Sequence, residues 1–221
     1  LRTVFGGWHP SAVPEDCIAA DGVDHVIVGE GELAFVDLVS GAPERVLQGR
    51  PLPSLNEIYP DRELIKTHRT IDLCEQMTGQ RITAFQSCRV CQNSCTFCAE
   101  RTITGRFNRK TNPIRERDPG HLVEEIVETH ARYRLDHFKF VDATWNTSPE
   151  KVIAFCEEKR RRGLKLSWEA NIHATYCTRP MLEAMKGAGC RQINVGCESG
   201  SQSILNDMKK GLKLEQIEHV F

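Results

Sequence analysis

Long apolar runs are missing from this sequence: no stretch approaches the roughly 18–20 consecutive apolar residues that span a bilayer, so no helical membrane span is expected. No charged segment followed by an apolar one stands at the N-terminus, so no secretion signal is visible. The chain opens on Leu1 rather than Met and closes on Phe221 within a helix-like pattern. Both ends therefore read as cut from a longer chain, and a missing N-terminus would hide a signal. Net charge is scarce as well: 29 Lys and Arg against 30 Asp and Glu leave a formal −1, which offers no electrostatic case for a nucleic-acid partner. The one dense basic patch is Lys159, Arg160, Arg161 and Arg162. It falls at the end of a predicted helix, where cations suit the negative end of the dipole, and it reads as a solvated helix end rather than a phosphate site. Low-complexity segments and detectable sequence repeats are absent too.

Cysteine, by contrast, is plentiful, with ten in 221 residues. Four of them, Cys88, Cys91, Cys95 and Cys98, crowd into one short stretch. Such crowding suits metal binding better than disulfide bridging and points to a reducing, cytoplasmic compartment. Cys17, Cys74, Cys156, Cys177, Cys190 and Cys197 are scattered, mostly among apolar residues, and read as core thiols.

The pattern along the chain is α/β. Val4-Phe5 ends at Gly6-Gly7, and His25-Val26-Ile27-Val28 ends at Gly29-Glu30-Gly31-Glu32, with Leu33 to Val39 as a helix. Short strands that end in glycine loops are where open α/β sheets place ligands. Residues 46–79 are expected as a linker, since the region around them holds Pro43, Pro51, Pro53 and Pro60 and shows no sustained periodicity. From residue 80 strand and helix alternate. Arg81–Phe85, His137–Val141, Leu164–Ala170 and Gln192–Cys197 read as strands. Between and after them, helices begin at Asp118-Pro119, Ser148-Pro149, Thr178 and Ser201. In the last of these Ile204, Leu205 and Met208 are expected inward, with Gly211 as the stop. Four strand–helix units in series imply a parallel sheet with right-handed crossovers. They are too few to close a barrel.

The first of these strands leads straight into Cys91-Gln-Asn-Ser-Cys95-Thr-Phe-Cys98. A cubane cluster takes one thiolate per iron. Three thiolates on one loop leave one iron open to a small molecule. This C-x3-C-x2-C loop, with Phe97 before its last cysteine, resembles the signature of the radical S-adenosylmethionine superfamily. The resemblance implies that Cys91, Cys95 and Cys98 bind a [4Fe-4S] cluster, with Phe97 near the adenine of S-adenosylmethionine. Cys88 departs from the pattern. It makes C-x2-C-x3-C-x2-C, and four thiolates would saturate a cluster or hold a tetrahedral zinc. The alternative function is therefore an iron–sulfur electron-transfer or structural metal-binding module. Against it stands the match of the rest of the chain, and Cys88 is expected as a strand-end residue.

Downstream, Asn194-Val195-Gly196-Cys197-Glu198-Ser199-Gly200 resembles the G-x-E-S-G segment of cobalamin-linked members, which implies that Glu198 contacts the nucleoside. Lys209-Lys210-Gly211 recurs in the family and reads as a helix end. The segment Phe140 to Trp145 lacks the Gly-Gly-Glu pattern that many members use for the S-adenosylmethionine amine. Asp142 stands in its place, either as a substitute or as a cap of the next turn. Glu169 and Asn171 end the third strand, facing either the active site or solvent.

Residues 1–45 resemble the C-terminal part of a Rossmann-like cobalamin-binding domain, with Gly6, Gly7, Gly29 and Glu30 beside the cobalamin. His9 before Pro10 reads as structural rather than as a cobalt ligand. Residues 80–221 then correspond to the first four strand–helix units of a partial (β/α)6 TIM-like barrel. By resemblance the whole protein is expected to cleave S-adenosylmethionine reductively and act on an unreactive carbon of a small-molecule substrate, by methyl transfer or by oxidation and cyclisation. Cobalamin and an electron donor (a reductase, flavodoxin or ferredoxin) are the implied cofactor and partner.

Overall fold

A computed structural model describes residues 1–57, 59–100 and 113–221. Two compact units divide it: Leu1–Ser54 with Cys95–Pro113, and Leu55–Ser94 with Ile114–Phe221.

In the first unit the order is β1 (Val4–Phe5), α1 (Trp8–Ala12), α2 (Pro14–Ala19), β2 (His25–Val28), α3 (Gly31–Val39) and β3 (Val46–Gln48). The three strands form a parallel sheet in the order β1-β2-β3. Side chains alternate across a strand, and β2 uses both faces. Val26 and Val28 pack with Cys17 and Val23. Ile27 packs on the other side with Ala34, Leu38 and Leu47. Burial on both faces is what a parallel sheet covered by crossover helices requires.

The second unit begins with α4 (Thr67–Thr78), β4 (Ile82–Phe85), β5 (Cys88–Arg89) and β6 (Arg115–Glu116). It continues with α5 (Pro119–Tyr133), β7 (His137–Phe140), α6 (Pro149–Arg161), β8 (Ser167–Ile172), a 3-10 turn (Ala174–Tyr176), α7 (Arg179–Gly187), β9 (Cys190–Val195), α8 (Gln202–Asp207) and α9 (Leu214–Val220). Its main sheet is parallel throughout, in the order β4-β7-β8-β9. The small pair β5–β6 is antiparallel. The expected helix starts are present. The Asp118 carboxylate accepts from the N–H groups of Gly120 and His121, Ser148 accepts from Lys151, and Thr178 accepts from Met181. Phe138, Phe140, Trp145, Phe155 and Trp168 form a buried aromatic cluster under the sheet, with ring centroids 4.8–6.3 Å apart. The Trp168 indole N–H is satisfied by the carbonyl of Ala188 at 3.0 Å.

Three expectations are corrected here. Residues 46–79 are not featureless, because they carry β3 and α4. Their prolines stand outside both elements. In α4 Ile71 is buried while Leu73 and Met77 are exposed, so its apolar residues do not share one face and the helical period is masked. Lys159 is not solvated: it is 2% exposed. Its ammonium donates to the carbonyls of Leu164, Leu166 and Ala188 at 2.7–2.9 Å. The other three members of that run, Arg160, Arg161 and Arg162, lie outward, and Arg161 and Arg162 pair with Glu158. Ile204 is exposed, and Leu205 alone of its helix is fully inward.

Candidate active site

The C-terminal ends of β4, β7, β8 and β9 supply the second unit's candidate site, the end at which open α/β sheets bind ligands. Beyond β4 the chain enters the short pair β5–β6, and the carboxylate of Asp142, just past β7, holds that entry. Its Oδ1 accepts from the N–H of Ser87 at 2.8 Å and of Cys88 at 2.7 Å, and Oδ2 accepts from the Ser87 hydroxyl at 3.2 Å. Asp142 is 1% exposed. Burial pushes its carboxyl above the usual range, against the pull of these donors. These bonds cross to the connection after β4, so the carboxylate holds that connection rather than the turn that follows it in sequence.

Cys88 is buried and donates from Sγ to the carbonyl of Thr144 at 3.5 Å. Burial, with the Asp142 carboxylate beside it, pushes its thiol far up. Cys91 has a different environment. The N–H and the Nδ2 amide of Asn93 each donate to its sulfur at 3.5 Å, and the Thr144 hydroxyl lies 3.3 Å away. Val90, the residue before it, has φ +75°, a left-handed backbone that is costly for a β-branched residue. Cys91 belongs to the second unit, Cys95 and Cys98 to the first. Cys95 is buried, Cys98 half-buried, and the N–H of Cys98 donates to the carbonyl of Cys95 at 3.3 Å. Phe97 between them is 54% exposed. Among the described residues no three His, Cys, Asp or Glu side chains stand grouped as metal ligands. The donor chemistry fits an iron–sulfur cluster all the same. Three thiols lie on one loop, one has donors aimed at its sulfur as a thiolate needs, and the fourth nearby thiol is held in its neutral form.

At the end of β9, Glu198 has φ +61° and pairs with Lys210, Oε1 to Nζ 2.9 Å. Lys210 is 7% exposed, so it is more than the helix end expected of it. His173, at the end of β8, is buried, and burial together with the Lys210 cation pulls its pKa down to about 4. Asn146 fixes this corner by donating to the carbonyl of His173 at 3.0 Å and accepting from its N–H at 2.8 Å. Asn171 accepts from Asn194 at 3.2 Å and donates to the carbonyl of Asp142 at 3.3 Å. Glu169 lies across from His137 at 3.7 Å. Sequence reasoning missed the contacts of Thr144 and Asn146, whose partners lie 53 and 27 residues away, and the pairing of Glu198 with Lys210.

In the first unit the glycine loops after β1 and β2 meet through Ser11, which is 1% exposed. It donates to the carbonyl of Gly7 at 2.6 Å and accepts from the N–H of Gly29 at 2.8 Å. A side chain on Gly6 or Gly7 would face open space. Gly7 and Gly29 both have positive φ, 99° and 83°, which glycine adopts without strain. Glu30 precedes α3 as its cap residue, and His9 is exposed within α1.

Residues 85–221 match the model of the Radical SAM superfamily, and the chain belongs to that superfamily. It is similar to an uncharacterized methyltransferase, PH0819, of Pyrococcus horikoshii, 27% identical across 96% of this chain and 49% of that protein. It is also similar to the anaerobic magnesium-protoporphyrin IX monomethyl ester cyclase of Rubrivivax gelatinosus, 25% identical across 98% of this chain and 42% of that one. The chain thus spans about half the length of the curated relatives it matches. Its fold matches TsrM of Kitasatospora setae, a radical S-adenosylmethionine methyltransferase solved with cobalamin and a [4Fe-4S] cluster bound, at TM-score 0.72 and 18% identity over 97% of this chain and 47% of that one. Among the described residues no helix is long and apolar enough to cross a membrane.

Proposed function

We propose that the protein containing this chain is a cobalamin-linked radical S-adenosylmethionine enzyme whose cluster is held by Cys91, Cys95 and Cys98. The observation that carries this reading is the contrast between two neighbouring cysteines after β4. Cys88 is buried as a thiol, whereas the sulfur of Cys91 accepts from two groups of Asn93 and has the Thr144 hydroxyl beside it. A bound cluster would supply the electron that cleaves S-adenosylmethionine to a deoxyadenosyl radical, and the substrate would lose a hydrogen from an unreactive carbon. The chain's own residues bind and orient. Asp142 and Asn146 fix the strand ends. Glu198, held by Lys210, takes the nucleoside hydroxyls, and Phe97 covers the adenine. Gly6, Gly7, Gly29 and Glu30 border the cobalamin in a Rossmann-like unit, and the second unit forms the first four units of a partial (β/α)6 barrel. The electron comes from a flavodoxin, a ferredoxin or a reductase.

The test is anaerobic reconstitution of the full-length protein with iron and sulfide, then electron paramagnetic resonance of the reduced cluster. The expected spectrum shifts when S-adenosylmethionine is added, survives Cys88→Ala and vanishes with Cys91→Ala. A spectrum that ignores S-adenosylmethionine and vanishes with Cys88→Ala would establish the four-cysteine module instead. Methyl-labelled S-adenosylmethionine then separates the two outcomes known among the relatives: label in the product means methyl transfer, and unlabelled product means oxidation or cyclisation.

Gly196 supplies a second test. A β-carbon there would lie 2.7 Å from Glu198 Oε1 and 3.0 Å from Lys210 Nζ. Both atoms end flexible side chains, so Gly196→Ala is expected to fold with a loss of about 1 kcal/mol or less. It displaces the carboxylate, however, and S-adenosylmethionine affinity should fall about tenfold, equivalent to about 1.4 kcal/mol. Unchanged affinity by equilibrium dialysis would remove Glu198 from the nucleoside site.

A further inference from the structure

We infer that Thr144, Asn93 and Tyr176 tune the reduction potential of the cluster through the sulfur of Cys91, an inference that rests on the ligation proposed above. The end of β7 reaches the sulfur directly, and the turn after β8 reaches it through Asn93. Thr144 lies just beyond β7, and its hydroxyl is 3.3 Å from Cys91 Sγ. Asn93 offers its backbone N–H and its Nδ2, each at 3.5 Å. Tyr176, in the 3-10 turn after β8, donates its phenol to Asn93 Oδ1 at 3.2 Å. With Oδ1 turned to the phenol, the amide presents Nδ2 to the sulfur.

A ligating thiolate carries no proton, so in the cluster-bound state it accepts from all three groups and the Thr144 hydroxyl is the donor. Thr144 is 5% exposed, and its hydrogen bond is not shared with bulk water. The same residue separates the two cysteines chemically, since its carbonyl accepts from the Cys88 thiol while its hydroxyl faces Cys91. Hydrogen bonds to ligand sulfurs stabilise the more negative member of a redox couple. They therefore raise the potential at which the cluster takes up its one electron.

Potentiometry on the reconstituted full-length protein tests this, with viologen mediators delivering one electron per cluster and the reduced signal read by electron paramagnetic resonance. Thr144→Val removes the hydroxyl and nearly keeps the shape. At unchanged iron and sulfide content, its reduction equilibrium should become about tenfold less favourable, a midpoint lower by about 59 mV for one electron. Thr144→Ser should restore the wild-type value, and Tyr176→Phe should shift it the same way by less. A wild-type midpoint in Thr144→Val with full iron content overturns the inference and leaves the cluster reading standing. If Thr144→Val holds no cluster, Tyr176→Phe decides, and an unchanged midpoint there overturns the inference. A wild-type protein that binds no cluster through Cys91 overturns both.

Discussion

Glu125→Ala is expected to destabilise the second unit by about 3–5 kcal/mol, the cost of leaving buried cations without their counter-ion. Glu125 lies on α5 with a side chain only 5% exposed. It binds two guanidinium groups at once, Arg62 through Oε1 at 2.8 Å and Arg117 through Oε2. Each arginine also reaches the end of β4, Arg62 to the carbonyl of Ala84 and Arg117 to that of Gln86, both at 3.3 Å. Arg62 further lies over the Phe85 ring, 4.5 Å from its centroid. The triad thus fixes the strand that leads into the cysteine loop, and the variant should lose cluster content as well as stability. Urea unfolding monitored by Trp fluorescence measures the first, since Trp145 and Trp168 are in the core. A triple variant with Glu125→Leu, Arg62→Met and Arg117→Met should recover most of the stability, because a packed apolar set replaces a buried ion triad at little cost. A loss below about 1 kcal/mol in Glu125→Ala would mean that water reaches the arginines and the triad is no clamp.

None of that triad is legible in the sequence, for a physical reason. The Arg62–Glu125 contact spans 63 residues, and only the folded sheet brings its members together. What is legible is local. Asp118-Pro119, Ser148-Pro149 and Thr178 mark helix starts, because a cap acts on N–H groups two or three residues away. The strand His25–Val28 is legible because its apolar residues are contiguous, as burial on both faces demands. The cysteine loop is legible because its ligands lie within a few residues of one another. Lys159 shows the limit of this local reading. Its neighbours in sequence are arginines, so it looks solvated, yet the carbonyls it binds belong to the α6–β8 loop and to the end of α7. Thr144 fails in the same way, since its partner Cys91 is 53 residues away. The site is therefore half readable: the thiols that would hold iron are local, and the groups that position and tune them are not.

Asp142 joins the two halves, and its variants should separate them. Asp142→Ala leaves the buried N–H groups of Ser87 and Cys88 without the acceptor they share. At roughly 1–3 kcal/mol for each unsatisfied buried group, a loss of about 3 kcal/mol is expected. Asp142→Asn should behave differently. Both backbone bonds run to Oδ1, which the amide retains, and its Nδ2 can donate to the Ser87 hydroxyl that Oδ2 now accepts from. Asparagine should therefore keep stability within about 1 kcal/mol of wild type, hold the loop in place and preserve iron content after reconstitution, while alanine loses both. If Asp142 instead met the S-adenosylmethionine amine as a carboxylate, asparagine would fold and bind iron but fail to bind the amine, and isothermal titration with S-adenosylmethionine would show it. Wild-type affinity in Asp142→Asn, together with poor iron retention in Asp142→Ala, is the outcome the geometry favours. In that case the carboxylate past β7 acts on the protein backbone, and its contribution to the chemistry is to hold Ser87 and Cys88, the entry to the cysteine loop.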